Sequence, residues 1–187
     1  FIGTRQGMAI RFPEDDVRPM GRTAYGVRGI TLREGDEVVA MEVVKPGGTL
    51  LTLTELGYGK RTPLDEYRVQ SRGGVGLKNL DITAKNGRVI EIAQVSEDKE
   101  LLLITEQGKI LRTPTEDIRT IGRATQGVRL MDLDEGDKVV SVALVEKDDE
   151  AAVASDVPPS DAPPSDVAPS DDAQTADTPP SDAPPTE

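Results

Sequence analysis

Short runs of apolar and β-branched residues, separated by turn residues, recur along the first 147 positions of the chain. The last stretch shows them most clearly, with a hairpin turn at Gly108, a strand end at Pro114 and a second turn at Gly136. It predicts four strands, at Leu101–Ile104, Lys109–Thr113, Gly127–Leu133 and Lys138–Val145. Apolar residues at the spacing of an amphipathic helix are absent from these segments. The pattern therefore predicts an all-β protein.

The strand pattern occurs three times. Residues 1–48 align with 102–149 at an offset of 101, and residues 50–80 align with the third copy at an offset of 51. Four strands in about 50 residues predict a propeller-like array of four-stranded blades, which must stack because one blade cannot bury both faces alone. The predicted blades are 1–48, 49–99 and 100–147. Propellers have about four to eight blades, and the chain begins inside a strand pattern, so we expect further repeats upstream.

The composition changes after Lys147. Residues 1–147 hold all 22 basic residues and 23 acidic ones, whereas residues 148–187 hold 11 acidic residues and no basic residue. The later segment repeats Ser, Asp and Pro loosely every five residues, as in Ser160–Pro164. It has little to bury and repels itself, so we expect a disordered acidic tail. Two roles remain open for it: a solubilising extension, or a regulatory one that folds back on basic residues and competes with DNA.

The residue types that the chain lacks exclude several kinds of site. It has no Cys and no His, which excludes disulfides and thiolate metal sites and removes the commonest general base. It has no run of about 18 apolar residues to span a membrane and no apolar leader. We therefore expect a cytoplasmic protein with no cofactor or metal of its own.

Three features resemble reactive or ligand-binding sites without matching them. Gly57–Thr62 lacks the glycine spacing of a phosphate-binding loop, and Asp132–Asp137 is followed by Ala143 where a calcium loop needs glutamate. The tyrosines occupy different positions of the repeat, and none has a neighbouring base. They are Tyr25, Tyr58 and Tyr67. No catalytic residue is therefore predicted in this chain.

Four positions of the repeat are basic in all three copies, and we call each such set a basic column. In a radial array, each column forms an arc of positive charge, which suits a curved phosphate backbone. Eleven of the twelve residues are arginine, which contacts phosphate with bidentate geometry. The columns are Arg11, Arg61 and Arg112; Arg18, Arg68 and Arg119; Arg22, Arg72 and Arg123; and Arg28, Lys78 and Arg129. Together with Lys60, they are the predicted DNA-binding residues.

Two other interpretations of the columns remain open. Acidic residues recur just before the second column, which favours ion pairs on a solvated face or a turn after the proline. They are Asp15, Asp65 and Glu116, and Asp16, Glu66 and Asp117. A propeller that docks an acidic protein on its arginines is the other alternative. The nearby glycines Gly26, Gly76 and Gly127 fit either a backbone approach to phosphate or a turn.

The order of these motifs resembles the C-terminal domain of DNA gyrase A, over residues 1 to about 147. The resemblance rests on Asp15–Arg22, Gly26–Ile30, Glu34–Val39, Gly57–Thr62 and Gly122–Val128, and on the acidic tail. The family's first-blade signature, Gln-Arg-Arg-Gly-Gly-Arg-Pro, is absent, and Gln70–Gly76 echoes it in part. The equivalent protein of topoisomerase IV is the nearest alternative, but its blades are usually more degenerate.

The resemblance implies a β-pinwheel, a six-bladed relative of the propeller, of which this chain would form the last three blades. It implies sequence-independent binding and wrapping of double-stranded DNA, in support of ATP-dependent negative supercoiling by an A2B2 type II topoisomerase. The partners would be DNA, the rest of gyrase A, and gyrase B. The catalytic tyrosine would lie elsewhere in gyrase A, and ATP with Mg²⁺ would bind outside this chain.

Overall fold

The computed structural model describes residues 1–147, in which antiparallel strands are joined by turns and short 3-10 helices. The first repeat contains β1 (Ile2–Thr4), β2 (Met8–Ile10) and β3 (Val38–Met41). The second contains β4 (Thr49–Thr54), β5 (Tyr58–Pro63), β6 (Leu77–Lys78) and β7 (Val89–Val95). The third contains β8 (Lys99–Thr105), β9 (Ile110–Pro114), β10 (Val128–Arg129) and β11 (Val139–Glu146). The all-β prediction is confirmed, while the predicted disordered tail, 148–187, lies outside the described residues.

Each of the first two sheets takes its fourth strand from the following repeat. The first sheet has the order β3-β1-β2-β6 and the second has the order β10-β5-β4-β7. In these pairings Leu77 lies opposite Ala9, and Val128 lies opposite Gly59. The repeat pattern instead predicts that the four strands of one repeat form one blade. The exchange links neighbouring repeats through backbone hydrogen bonds, so their stacking does not depend on side chains alone.

The third sheet has the order β11-β8-β9 within residues 1–147. The predicted hairpin at Gly108 is present, and Leu103 of β8 lies opposite Leu111 of β9 and Val142 of β11. The segment Gly127–Leu133 was predicted as a longer strand, but only Val128–Arg129 pairs, and it does so in the second sheet.

The middle sheet is buried on both faces. Leu50 of β4 belongs to an apolar cluster shared with the first sheet, while Leu51 and Leu53 belong to a cluster shared with the third. All three leucines are at most 1% exposed, and burial of each stabilises the fold by roughly 1.5–3 kcal/mol. This position explains why Leu50 and Leu51 of β4 are both apolar although they face opposite sides of the sheet.

The hairpin turns of the first two repeats contact the backbone of the next repeat. Gly57 has φ +75°, and a Cβ atom there would lie 2.7 Å from the carbonyl oxygen of Met131. The carbonyl oxygen of Gly57 in turn accepts a 2.9 Å hydrogen bond from the amide of Leu130. Glycine is required because both the left-handed backbone and this approach exclude a side chain.

Candidate nucleic-acid interface

The first basic column joins the repeats and does not form a free arc. Arg11 Nη1 donates 3.2 Å hydrogen bonds to the carbonyl oxygens of Leu64 and Tyr67 in the second repeat. Arg61 repeats this arrangement one unit later, where its Nε donates to the carbonyl oxygen of Ile118 at 2.8 Å. Each arginine therefore donates hydrogen bonds to carbonyl oxygens at the 3-10 helix of the following repeat, either Leu64–Glu66 or Thr115–Asp117.

Lys60 and Arg61 were predicted to contact DNA, and the structure corrects this prediction. Lys60 is 0% exposed and Arg61 is 7% exposed. The guanidinium of Arg61 is occupied by carbonyl oxygens and lies 3.6 Å from a carboxylate oxygen of Glu97. Both cations therefore have structural partners and do not face solvent.

Lys60 occupies a cage of oxygen atoms between two repeats. Its Nζ donates to the carbonyl oxygens of Asn79 (2.6 Å), Gly122 (2.8 Å) and Arg123, and lies 3.3 Å from the Thr125 hydroxyl. Burial, reinforced by the nearby Arg123 charge and opposed by Glu66, lowers the pKa of Lys60 to about 8.

This cage was not predicted from the sequence, although the repeat contains a signal for it. Ile10 and Leu111 occupy the position equivalent to Lys60 in the other two repeats. A cation in an otherwise apolar column indicates a buried site with specific partners. Tyr67 contributes to the same region, since its buried hydroxyl donates to the side-chain oxygen of Asn79.

In the third repeat, the first-column residue has a different environment. Arg112 is about half exposed and forms an ion pair with Glu100 on the neighbouring strand.

The second column lies at the surface. Arg18, Arg68 and Arg119 are exposed, and each follows the end of a 3-10 helix by two residues. None of the three makes a side-chain hydrogen bond or ion pair with residues 1–147. The acidic positions that precede them lie within those helices, so the predicted turn after each proline is present, whereas the predicted pairing with the second column is not.

The third column of one repeat meets the fourth column of the repeat before it. Arg72 Nη1 donates to the carbonyl oxygen of Arg28 at 2.5 Å, and Arg123 Nη1 donates to that of Lys78 at 3.2 Å. The two contacts are equivalent, since both pairs are related by the repeat. The strand exchange therefore brings two columns together at each boundary, an arrangement that positions in sequence did not predict.

Two residues of the fourth column also have acidic partners close in sequence. Lys78 forms a 2.9 Å ion pair with Asp81, and Arg129 forms a 2.8 Å ion pair with Asp132. Arg129 also donates to the hydroxyl of Tyr58. Within the described part of the chain, Arg22 and Arg28 are exposed and their side chains have no such partner.

We call the exposed and part-exposed members of columns two to four the basic surface. Its members are Arg18, Arg22, Arg28, Arg68, Arg72, Lys78, Arg119, Arg123 and Arg129. Five of them carry a guanidinium with no partner in residues 1–147, namely Arg18, Arg22, Arg28, Arg68 and Arg119. Such groups are available to anionic ligands without first breaking an internal ion pair.

The remaining sequence candidates have structural explanations. Asp137 of the calcium-like segment accepts hydrogen bonds from the amides of Gln107 (3.1 Å) and Lys138 (2.8 Å), so its carboxylate joins two turns. Gly127 faces the backbone of Gly59, and a Cβ atom at position 127 would lie 3.0 Å from the Gly59 carbonyl oxygen, which favours the turn interpretation. In residues 1–147, no acidic group of three or more members has the arrangement of a metal site. The same residues contain no helix that is long and apolar enough to cross a membrane.

Comparisons with known proteins agree with this fold. A family model described as DNA gyrase C-terminal domain, beta-propeller, matches residues 1–45, 48–96 and 99–146. The DNA gyrase A protein of Staphylococcus aureus (strain NCTC 8325 / PS 47) is 49% identical over 151 residues, which are 80% of this chain and 17% of that protein. The chain thus spans about a sixth of the length of the curated relatives it matches.

Two solved structures have the same architecture. The DNA gyrase A C-terminal domain superimposes with a TM-score of 0.67 at 34% identity, over 76% of this chain and 49% of that one. The C-terminal domain of DNA topoisomerase IV gives a TM-score of 0.73 at 29% identity, over 78% of this chain and 46% of that one. The family model and the 49% identity to gyrase A favour gyrase over topoisomerase IV. This chain belongs to the DNA gyrase C-terminal domain, beta-propeller, family.

Proposed function

We propose that the basic surface binds double-stranded DNA without reading its sequence and holds it in a bend. The observation that carries this proposal is the second column, in which the exposed guanidinium groups of Arg18, Arg68 and Arg119 have no partner in residues 1–147 and recur at equivalent positions of all three repeats. Their phosphate contacts would release counterions from DNA, which supplies affinity that does not depend on base identity.

The overall charge does not drive this binding. Residues 1–147 carry 22 basic and 23 acidic residues, a net charge of −1. Attraction must therefore come from the local arrangement of cations, and salt should screen it strongly. Bending 20–30 bp costs roughly 1–6 kcal/mol, so easily bent sequences should bind somewhat better.

In the cell, we propose that the chain acts within the gyrase A protein, together with gyrase B in an A2B2 assembly. The supporting observation is the 49% identity to the gyrase A protein of Staphylococcus aureus. In this proposal, the chain presents DNA for supercoiling, while strand cleavage and the ATP and Mg²⁺ site lie in other parts of the assembly. This places it in the bacterial cytoplasm, at the chromosome.

A salt titration tests the DNA contact. The affinity of the 187-residue chain for a fluorescent duplex of about 40 bp is measured by anisotropy between 50 and 300 mM salt. If about six phosphates are neutralised, log K falls against log salt with a slope near −5. The triple variant Arg18→Ala, Arg68→Ala, Arg119→Ala should reduce the magnitude of the slope by about 3.

A control triple variant removes the same charge from outside the columns, at Arg33, Lys45 and Lys138. These residues are exposed, and the variant should keep a slope close to the original. Equal losses in both triple variants would show that total charge governs binding and would contradict the proposed surface. Duplex affinity without salt dependence, or none, would favour the alternative of an acidic protein partner.

A further inference from the structure

The position midway between the third and fourth columns faces solvent in all three repeats. It is occupied by Tyr25, Val75 and Gln126. The Tyr25 side chain is fully exposed, and Val75 is 54% exposed. Two of the three residues therefore present apolar atoms to water between two basic positions.

The exposure of this position does not depend on whether the segment that contains it packs on another repeat. Gly76 and Gly127, one residue later, lie against the backbone of Ala9 and Gly59 in the preceding repeat. The residues before them nevertheless remain exposed. The exposure of Tyr25 is therefore a property of the position in the repeat.

Tyr25 differs from the other aromatic residues of the described chain. Tyr58 and Tyr67 are buried, and Phe1 packs edge-on against Tyr67 with 5.1 Å between ring centroids. Tyr25 has no ring contact or hydrogen bond within residues 1–147. Its neighbours three residues away on each side are Arg22 and Arg28, whose guanidinium groups also lack internal partners.

We propose that Tyr25 inserts its ring into the minor groove of the duplex, against sugars and base edges, between phosphates held by Arg22 and Arg28. This inference rests on the proposed DNA binding. Apolar side chains inserted in the minor groove partly unstack a base step and bend the duplex, which is the deformation that a bending surface requires. The ring would add affinity that does not arise from counterion release, and this separates it from the arginines.

Affinity and salt slope together test this role. Tyr25→Ala should weaken binding of the 187-residue chain to a duplex by roughly tenfold, the order of an aromatic contact with a base, while the salt slope stays unchanged. Arg22→Ala should instead reduce the magnitude of the slope by about 1. Thermal melts followed by circular dichroism should match the original chain for Tyr25→Ala, because the side chain has no packing to lose.

A direct probe is available because the chain contains no tryptophan. In Tyr25→Trp, the single indole should become protected from acrylamide quenching when duplex is added. Val140→Trp is the matched control, since Val140 is 60% exposed on β11 and lies outside the columns. Filling an A·T-rich duplex with netropsin should abolish protection at position 25, and protection that persists would overturn the minor-groove assignment.

The outcomes separate this inference from the function on which it rests. If the original chain does not bind duplex at low salt, the proposed DNA binding itself fails. If it binds, but Tyr25→Ala binds equally well and the indole of Tyr25→Trp stays as accessible as that of Val140→Trp, the inserted ring is overturned while DNA binding stands.

Discussion

The side-chain nitrogen of Lys60 lies 2.8 Å from the carbonyl oxygen of Gly122, although the two residues belong to different repeats. The same nitrogen also donates to the carbonyl oxygens of Asn79 and Arg123. Asn79 follows Lys78 of the fourth column and Arg123 belongs to the third, so one cation links the backbone of the two columns. A buried lysine thus supports the geometry of the basic surface without belonging to it.

Lys60 should make stability depend on pH in a defined direction. Its pKa is about 8 in the folded chain and 10.5 as an ordinary lysine, because burial disfavours the ammonium. Between those values the unfolded chain binds the proton and the folded chain does not, so the free energy of unfolding rises with pH by an amount on the order of a few kcal/mol.

Urea unfolding at pH 7 to 10.5 measures how the free energy of unfolding depends on pH, and Lys60→Met serves as the reference because it lacks the titrating amine. The stability of the original chain relative to the variant should increase from pH 8 upward and be constant below it. Parallel pH profiles for the two proteins would exclude the depressed pKa.

The guanidinium of Arg61 should contribute to stability through the neighbouring repeat. Arg61→Ala leaves the carbonyl oxygens of Glu116 and Ile118 without their donors, and each such loss costs about 1–3 kcal/mol when buried. Arg68→Ala removes an exposed arginine and should change the free energy of unfolding by no more than about 0.5 kcal/mol. Equal destabilisation by both changes, in urea titrations at pH 7, would contradict the structural role of Arg61.

The hairpin glycine at position 57 should be sensitive to a single added methyl group. Gly57→Ala combines φ +75° with a Cβ only 2.7 Å from the Met131 carbonyl oxygen. Gly136→Ala is a matched control, since its φ is +78° but no atom lies within 4 Å of the added Cβ. Backbone strain of roughly 1 kcal/mol is common to both changes. The clash should therefore appear as a larger decrease in melting temperature for Gly57→Ala than for Gly136→Ala.

The acidic segment should oppose DNA binding. Residues 148–187 carry 11 acidic residues and no basic one, so they should compete with phosphates for the basic surface. Deleting them should strengthen duplex affinity at about 50 mM salt and have little effect near 300 mM, where the attraction is screened. Anisotropy on both chain lengths provides the measurement, and an unchanged low-salt affinity would favour a purely solubilising tail.

The sequence by itself determined the secondary structure and the repeat. Apolar runs between glycine turns predicted three of the four strands of the third repeat to within about two residues, because strand and turn preferences are local. Self-alignment likewise revealed the basic columns, because it compares the residue types at equivalent positions of the repeat. The resemblance carried by Asp15–Arg22 and Gly122–Val128 identified the family without reference to the fold.

Only the tertiary structure decided which cations face solvent and which strands pair. Arg61 and Arg68 are both members of complete basic columns, yet one is buried against carbonyl oxygens and the other is exposed. The difference arises from contacts with a repeat about 50 residues away, which no local pattern encodes. The pairing of Leu77 with Ala9 is a contact of the same kind, because the strand completes the sheet of another repeat. Sequence thus set the local preferences, and long-range packing determined the surface.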